Sequence, residues 1–335
     1  MKKHEGIPGK VDNPVDETAD MAYIRANTDW LAKCRYGISV HWTARSMPRH
    51  GAAVDFQEAV RQFNVDAFLE QMLESGADYL IFTVTHALQM IPAPNPVVDR
   101  ILPGRTCDRD LLMELADRLA QHGKHLILYY NHSCNQKGDA EWEQAVGYHD
   151  ADKSRFAANL QEIVAWMGRR YGEKARAWWF DSSYSVDPRG PHNSVTTDLH
   201  GFQFPWESYS QSAKAGYPQR LVTFNAGVNE TFLYTSHQDY WSGELVDLNN
   251  PPAVRYMANG LQWHGWTCLD DRDWVHAKAD TEAGGPLYSD EELHRFMDIC
   301  RRHSAPMTFN VIIYQDGTMS PGSIQQLQRT GRHLG

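Results

Sequence analysis

The chain has 335 residues, 42% hydrophobic and 22% charged, which is ordinary globular material and enough for one large barrel domain or two smaller ones. Its formal net charge of -10 offers no basic stripe and excludes a nucleic-acid backbone as a partner. No stretch approaches the roughly 18 consecutive apolar residues of a membrane span.

The first six residues, Met1 to Gly6, carry two lysines and no apolar segment, so no secretory signal is visible and the expected location is cytoplasmic. Cys34, Cys107, Cys134, Cys268 and Cys300 stand far apart without a CxxC pair, and read as reduced thiols rather than a disulfide framework or zinc site. Eleven tryptophans are more unusual. Most belong in a core, but indole faces also pack on the C–H faces of sugars, which tilts the reading toward carbohydrate.

Apolar runs of strand length alternate with amphipathic helices along the chain. The first run is Gly37 to Trp42, followed by a helix from the N-cap Asn64 to Gly76, with Val65, Phe68, Leu69, Met72 and Leu73 at helical spacing. Tyr79 to His86 gives a second strand, and Asp108 to His122 its helix. His125 to His132 gives a third, including Tyr130, with a long helix over Asp152 to Tyr171. Ala177 to Asp181 is the fourth strand, an apolar run that stops on a carboxylate followed by two serines.

A helix near Trp206 to Ala215 leads to a fifth strand, Arg220 to Asn225. Gln238 to Trp241 is a weaker sixth, and Leu261 to Trp266 a seventh. Ser289 to His303 opens with a capping box, Ser289 with Glu292, and precedes the eighth strand, Pro306 to Val311. Ser320 to Leu334 is the last helix. Eight such units predict a single (β/α)8 barrel over residues 30–335, behind an N-terminal extension of residues 1–29.

In such a barrel the carboxyl ends of the strands share one rim, which gathers His41, His86, His132, Asp181, Asn225, Glu244 and Asn310. Taken singly, a histidine at a strand end is more often structural than catalytic; converging on one rim, they favour a site. Two chemistries fit. Histidines and acids could hold a metal for hydrolysis, but no HxH follows the first strand and no HExxH occurs, so neither metal nor cofactor is expected. The other is glycoside cleavage by two carboxyls, with Asp181 and Glu244 as the pair. Trp42, Trp179 and Trp263 would then wall the sugar, and the histidines and Asn225 would bind its hydroxyls.

Several motifs resemble the α-L-fucosidases of glycoside hydrolase family 29. Arg35-Tyr36-Gly37-Ile38-Ser39-Val40-His41-Trp42 is similar to "FGIFIHWG", Ala77 to His86 to "AKYLVLTTKHHDGF", and Leu126 to Tyr130 to "KFGLYYS". Trp179-Phe180-Asp181 matches "WFDG", and Thr308 to Leu334 is similar to "LLNVGPxxDGTIPP…IGRWL". The resemblance runs in order over about residues 30 to 335. It implies a retaining double displacement with Asp181 as nucleophile. The acid/base falls on Glu244 through spacing and through the similarity of Asp239-Tyr240-Trp241-Ser242-Gly243-Glu244 to "DYxTPE"; Glu230, Asp270 and Asp271 are the other candidates.

Three departures touch the sugar. His86-Ala87-Leu88-Gln89 stands where the family has a second histidine followed by Asp-Gly, Phe224-Asn225 stands for "RN", and Thr43 replaces the glycine after the first "HW". Losing a buried group built for a substrate hydroxyl costs up to about 10⁴-fold in discrimination. The expectation is therefore an α-L-fucosidase-like glycosidase without the family's usual C-terminal β-sandwich. A glycosidase for a different sugar and a non-catalytic sugar-binding barrel are the alternatives. The expected partner is a carbohydrate substrate, with no nucleic acid and no membrane; a homo-oligomer is compatible with the sequence.

Overall fold

The computed structural model describes residues 25–132, 139–258, 260–271 and 273–335. The expected N-terminal extension and Cys134 therefore lie largely or wholly outside the described residues. Among the described residues seven strands form: β1 (Tyr36–Val40), β2 (Tyr79–Thr85), β3 (His125–Asn131), β4 (Ala175–Asp181), β5 (Leu221–Phe224), β6 (Gly265–Cys268) and β7 (Met307–Asn310). All pairings are parallel, in the order β5-β4-β3-β2-β1-β7-β6.

Parallel neighbours need long return connections, and helices supply most of them. The helix Val65–Ser75 is capped by Asn64, whose Oδ1 accepts from the Ala67 amide, and it ends on Gly76 at φ +76°. The helix Asp290–Arg302 has the expected capping box between Ser289 and Glu292. Leu111–Gln121, Ser154–Tyr171, Trp206–Ala213 and Pro321–Leu334 fall within one to three residues of the expected helices.

The expected closed sheet of eight strands is replaced by a curled sheet of seven among the described residues. Gln238 to Trp241 does not form a strand. The segment after β5 touches both edges by separate bonds: the Asp239 amide donates to the Val222 carbonyl at 2.8 Å, Trp241 to Gln262 at 3.0 Å, and Leu245 to Trp266 at 2.7 Å. Gly243 interrupts this segment at φ +64°, a left-handed residue that an extended strand cannot contain. The seventh expected strand is likewise shortened, starting at Gly265 instead of Leu261.

Because side chains alternate across a strand, the sheet has two apolar faces. Tyr79, Ile81, Ile127, Tyr129, Ala177, Trp179, Leu221 and Trp266 fill its concave side, and Ala26 and Leu31 join them from the N-terminal segment. Ile38, Leu80, Phe82, Leu128, Tyr130, Trp178, Phe180 and Phe224 pack outward beneath the helices. Arg220, wholly buried, donates to the carbonyls of Ala175, Gly168, Gly172, Ala213 and Ala215 at 2.5–2.9 Å. Five acceptors compensate the burial of a charge that would otherwise be costly, and they tie two helices to the start of β5. Among the described residues no helix is long and apolar enough to cross a membrane.

Candidate active site

Parallel pairing throughout brings every strand's carboxyl end to one side, and there a cleft of about 160 Å³ opens between His41, His86, Tyr129, Trp179, Asp181, Tyr184, Glu244, Trp266 and Trp274. Asp181 is the last residue of β4. Ser182 follows at φ +59°, turning the chain sharply away and leaving the carboxyl at the floor of the cleft.

Four donors meet that carboxyl. Tyr129 Oη donates to Oδ2 at 2.5 Å and Asn131 Nδ2 at 3.0 Å; the Ser182 amide donates to Oδ1 at 2.7 Å and Asn225 Nδ2 at 3.0 Å. Cross-strand register makes this possible, because Tyr129 pairs with Trp179 and Asn131 with Asp181. Both oxygens are thereby fixed in direction.

Asn225 Nδ2 also donates to Glu244 Oε2, at 2.6 Å. One amide nitrogen therefore joins the two acids, and Asp181 Oδ1 and Glu244 Oε2 lie no farther apart than these two bonds end to end, about 5.6 Å. Desolvation raises the Glu244 carboxyl, the negative charge of Asp181 raises it further, and the Asn225 bond opposes both, leaving it up from 4.5 to about 8. Its backbone is held by the Asn229 amide, which donates to the Glu244 carbonyl at 2.7 Å, and by a bridge to Trp266.

The opposite wall is built on β1 and β2. His41 Nδ1 faces Asn310 Oδ1 at 2.8 Å, an acceptor, so Nδ1 carries the proton and Nε2 is left to accept. Burial pushes its imidazolium down to about 3, and His86 nearby adds to the effect. The two imidazoles meet edge to face at 5.2 Å. Burial also lowers His86, so both are neutral at neutral pH, and the buried His86 Nδ1 has no hydrogen-bond partner among the described residues. Asn310 accepts in addition from Ser39 Oγ at 3.2 Å, and Ser39 Oγ accepts from Trp266 Nε1 at 2.6 Å, so the indole and the imidazole are oriented by one network.

Of the residues expected to bind substrate, His41, His86 and Trp179 line the cleft, and Asn225 bonds both acids beneath it. The other four lie elsewhere. Trp42 is buried among Phe56, Phe63 and Phe82, with Nε1 donating to the Gln315 carbonyl. Tyr130 accepts from Gln89 Nε2 at 2.7 Å beneath the helices. His132 stacks on Phe180 and bonds Tyr209 Oη at 3.0 Å, and Trp263 packs against Trp241. Each points to the convex side or past it.

The alternative acids Glu230, Asp270 and Asp271 do not line the cleft either. Asp270 is spent on the Ile312 amide and Ser323 Oγ, and Asp271 on the Gly284 amide. Sequence reasoning passed over Tyr129, Asn131, Tyr184, Trp266 and Trp274. Strand alternation could have found the first two, since they share the parity of Asp181 across the register; Tyr184 and Trp274 come from loops and carry no local signal.

Among the described residues no group of three or more His, Cys, Asp or Glu side chains is placed to hold a metal ion. What the cleft offers is one acid saturated by donors beside another that keeps its proton to higher pH. That contrast suits the cleavage of glycosidic bonds. The chain belongs to the α-L-fucosidase family, whose sequence model matches residues 52–335.

No curated protein sequence matches the chain significantly. Solved structures do. The endo-fucoidan hydrolase MfFcnA9 of glycoside hydrolase family 107 aligns with a TM-score of 0.67 at 16% identity, over 92% of this chain and 63% of that one. The endo-fucoidan hydrolase P5AFcnA, of the same family 107, gives 0.63 at 15%, over 92% and 93%. The α-L-fucosidase AlfC from Lactobacillus casei, in complex with its α-L-fucose product, gives 0.58 at 15%, over 91% and 98%. The chain thus spans less than two thirds of MfFcnA9, and at these identities the likeness is one of fold.

Proposed function

We propose that this protein is a retaining glycosidase that releases a terminal α-L-fucosyl or closely related α-L-glycosyl residue. The single observation that carries the reading is the Asn225 amide shared by Asp181 and Glu244. It keeps the facing oxygens, Asp181 Oδ1 and Glu244 Oε2, within about 5.6 Å of each other, a close approach that supports the short carboxyl spacing of a retaining pair, about 5–5.5 Å.

Asp181 attacks the anomeric carbon as Glu244 gives its proton to the leaving oxygen, producing a glycosyl ester on Asp181 and a free alcohol. Glu244, now a carboxylate, takes a proton from water; the hydroxyl attacks the same carbon and the ester bond to Asp181 breaks. The switch follows from the cause of the raised Glu244 titration. Part of it is the charge of Asp181, and that charge disappears in the ester, so Glu244 becomes the stronger acid when its role requires it to be unprotonated.

Neutral His41 and His86 offer acceptors and donors to sugar hydroxyls, while Trp179, Trp266 and Trp274 supply apolar walls. In this reading the segment 238–245 completes a (β/α)8 barrel as its eighth stave. A second reading, a sugar other than fucose, is favoured by the β2 loop. Ala87 sits buried at φ +61° where the family has its second histidine, and the Gln89 side chain turns away to Tyr130 while its backbone N–H donates to Asp139 Oδ2.

A fluorinated fucosyl donor tests the proposal. Mass analysis should find the glycosyl adduct on the peptide containing Asp181, and none in Asp181→Ala. Turnover with no trapped ester would sink the retaining mechanism. A panel of aryl α-L- and β-D-glycosides separates the two sugar readings.

A further inference from the structure

Between β4 and the helix Trp206–Ala213 the chain makes a long excursion whose stem is fixed. Buried Asp187 accepts from Arg189 and from Trp206 Nε1, and the Ser194 amide donates to the Tyr184 carbonyl at 3.2 Å. His192, near its tip, is exposed, yet its ring is not free in space. Gly227 lies beneath it at φ +114°, and a Cβ there would come within 1.9 Å of His192 Cδ2. Only glycine leaves that room.

This contact ties the ring to the loop that follows Asn225. The Gly227 amide donates to Asn225 Oδ1 at 3.1 Å, the same Asn225 whose nitrogen joins Asp181 to Glu244. Tyr184, a wall of the cleft, lies 5.9 Å from His192 with the rings tilted by 57°. The two rings thus make an aromatic edge that runs from the cleft out to its mouth, on the loops that frame Glu244.

We propose that Tyr184 and His192 form a leaving-group subsite that receives the second sugar ring of the substrate. This deepens the glycosidase reading above and rests on it. Glu244 delivers its proton to the leaving oxygen, so the departing group lies on the Glu244 side. A cleft of about 160 Å³ is on the scale of a single sugar ring, so a second ring must sit at the mouth. There the apolar face of a pyranose packs against the aromatic corner.

The test compares two donors in wild type, His192→Ala and His192→Phe. α-L-Fucosyl fluoride has a leaving group too small to reach the subsite; α-L-fucosyl-(1→6)-N-acetylglucosamine fills it. His192→Ala should lower kcat/KM for the disaccharide roughly three- to tenfold, the worth of one aromatic contact, with the fluoride unchanged within about twofold. His192→Phe should restore the disaccharide. Parallel losses on both donors, an unaffected disaccharide, or failure of Phe to rescue would each overturn the subsite. A wild type inert toward the fluoride would instead overturn the fucosyl reading itself, and the subsite with it.

Discussion

Glu244 sets the expected pH dependence. In the proposed mechanism its acid form must be present to protonate the leaving group, and that form persists up to about pH 8, because burial and the Asp181 charge both penalise ionisation. Below that value the acid is available; as pH rises through it, the proton is lost. We therefore expect kcat/KM to fall on the alkaline side near pH 8, and Glu244→Gln to abolish this limb together with most turnover of poor leaving groups. A pH–rate profile with no alkaline limb in that range would remove Glu244 from the role. Asp181→Asn should cost about 10⁴-fold or more in kcat, the scale seen when a group acting in covalent catalysis is removed, while binding of the free sugar by calorimetry is retained. Sequence led to both acids individually. What it did not contain was their relation, because Asn225 reaches both only through the folding of residues 19 and 44 positions away.

At the scale of elements, strand parity decides which side chains reach the cleft. Tyr129 and Asn131 face the concave side with Trp179 and Asp181, whereas Tyr130 faces the helices and His132 lies a step beyond the strand's end. A one-residue step exchanges the two faces, so Trp42, Tyr130 and His132 lie away from the cleft while Tyr129 lines it. His86 reaches the cleft despite its even number because the β2–β3 register shifts between Thr83 and Thr85. The helices were more legible than the late strands. Their apolar periodicity and caps are local, while Gln238 to Trp241 depended on whether two sheet edges would meet around it. Gly243 is the element-scale test. A Cβ at this position, φ +64°, would lie 1.9 Å from the His264 carbonyl oxygen, so Gly243→Ala must move the backbone just before Glu244. It should destabilise by roughly 2–4 kcal/mol from left-handed strain and overpacking, read by denaturant unfolding, and should lower the activity of the molecules that remain folded. Wild-type stability in this variant would show that the segment adjusts without cost.

Across the whole molecule, several imidazoles are sealed in their neutral form. Burial lowers His41 to about 3, and His132 and His264 to about 4. Unfolded, each would titrate near 6.5, so the unfolded chain binds protons that the folded chain refuses. Stability from these groups is present above pH 6.5 and is lost as pH falls toward about 4. The urea midpoint should therefore decline from pH 7 to pH 4 with net proton uptake on unfolding; a flat profile over that range would contradict the burial of these rings as neutral groups. Sequence by itself determined the alternation of strands and helices, the parallel α/β class, and the acid that ends β4, because periodicity, caps and strand ends are written in neighbouring residues. Only the tertiary structure decided that, among the described residues, the sheet's continuous pairing stops at seven strands, which aromatic rings wall the cleft, and that one asparagine ties two distant acids together. Those outcomes depend on register, curvature and long-range contact, which no local run of residues encodes.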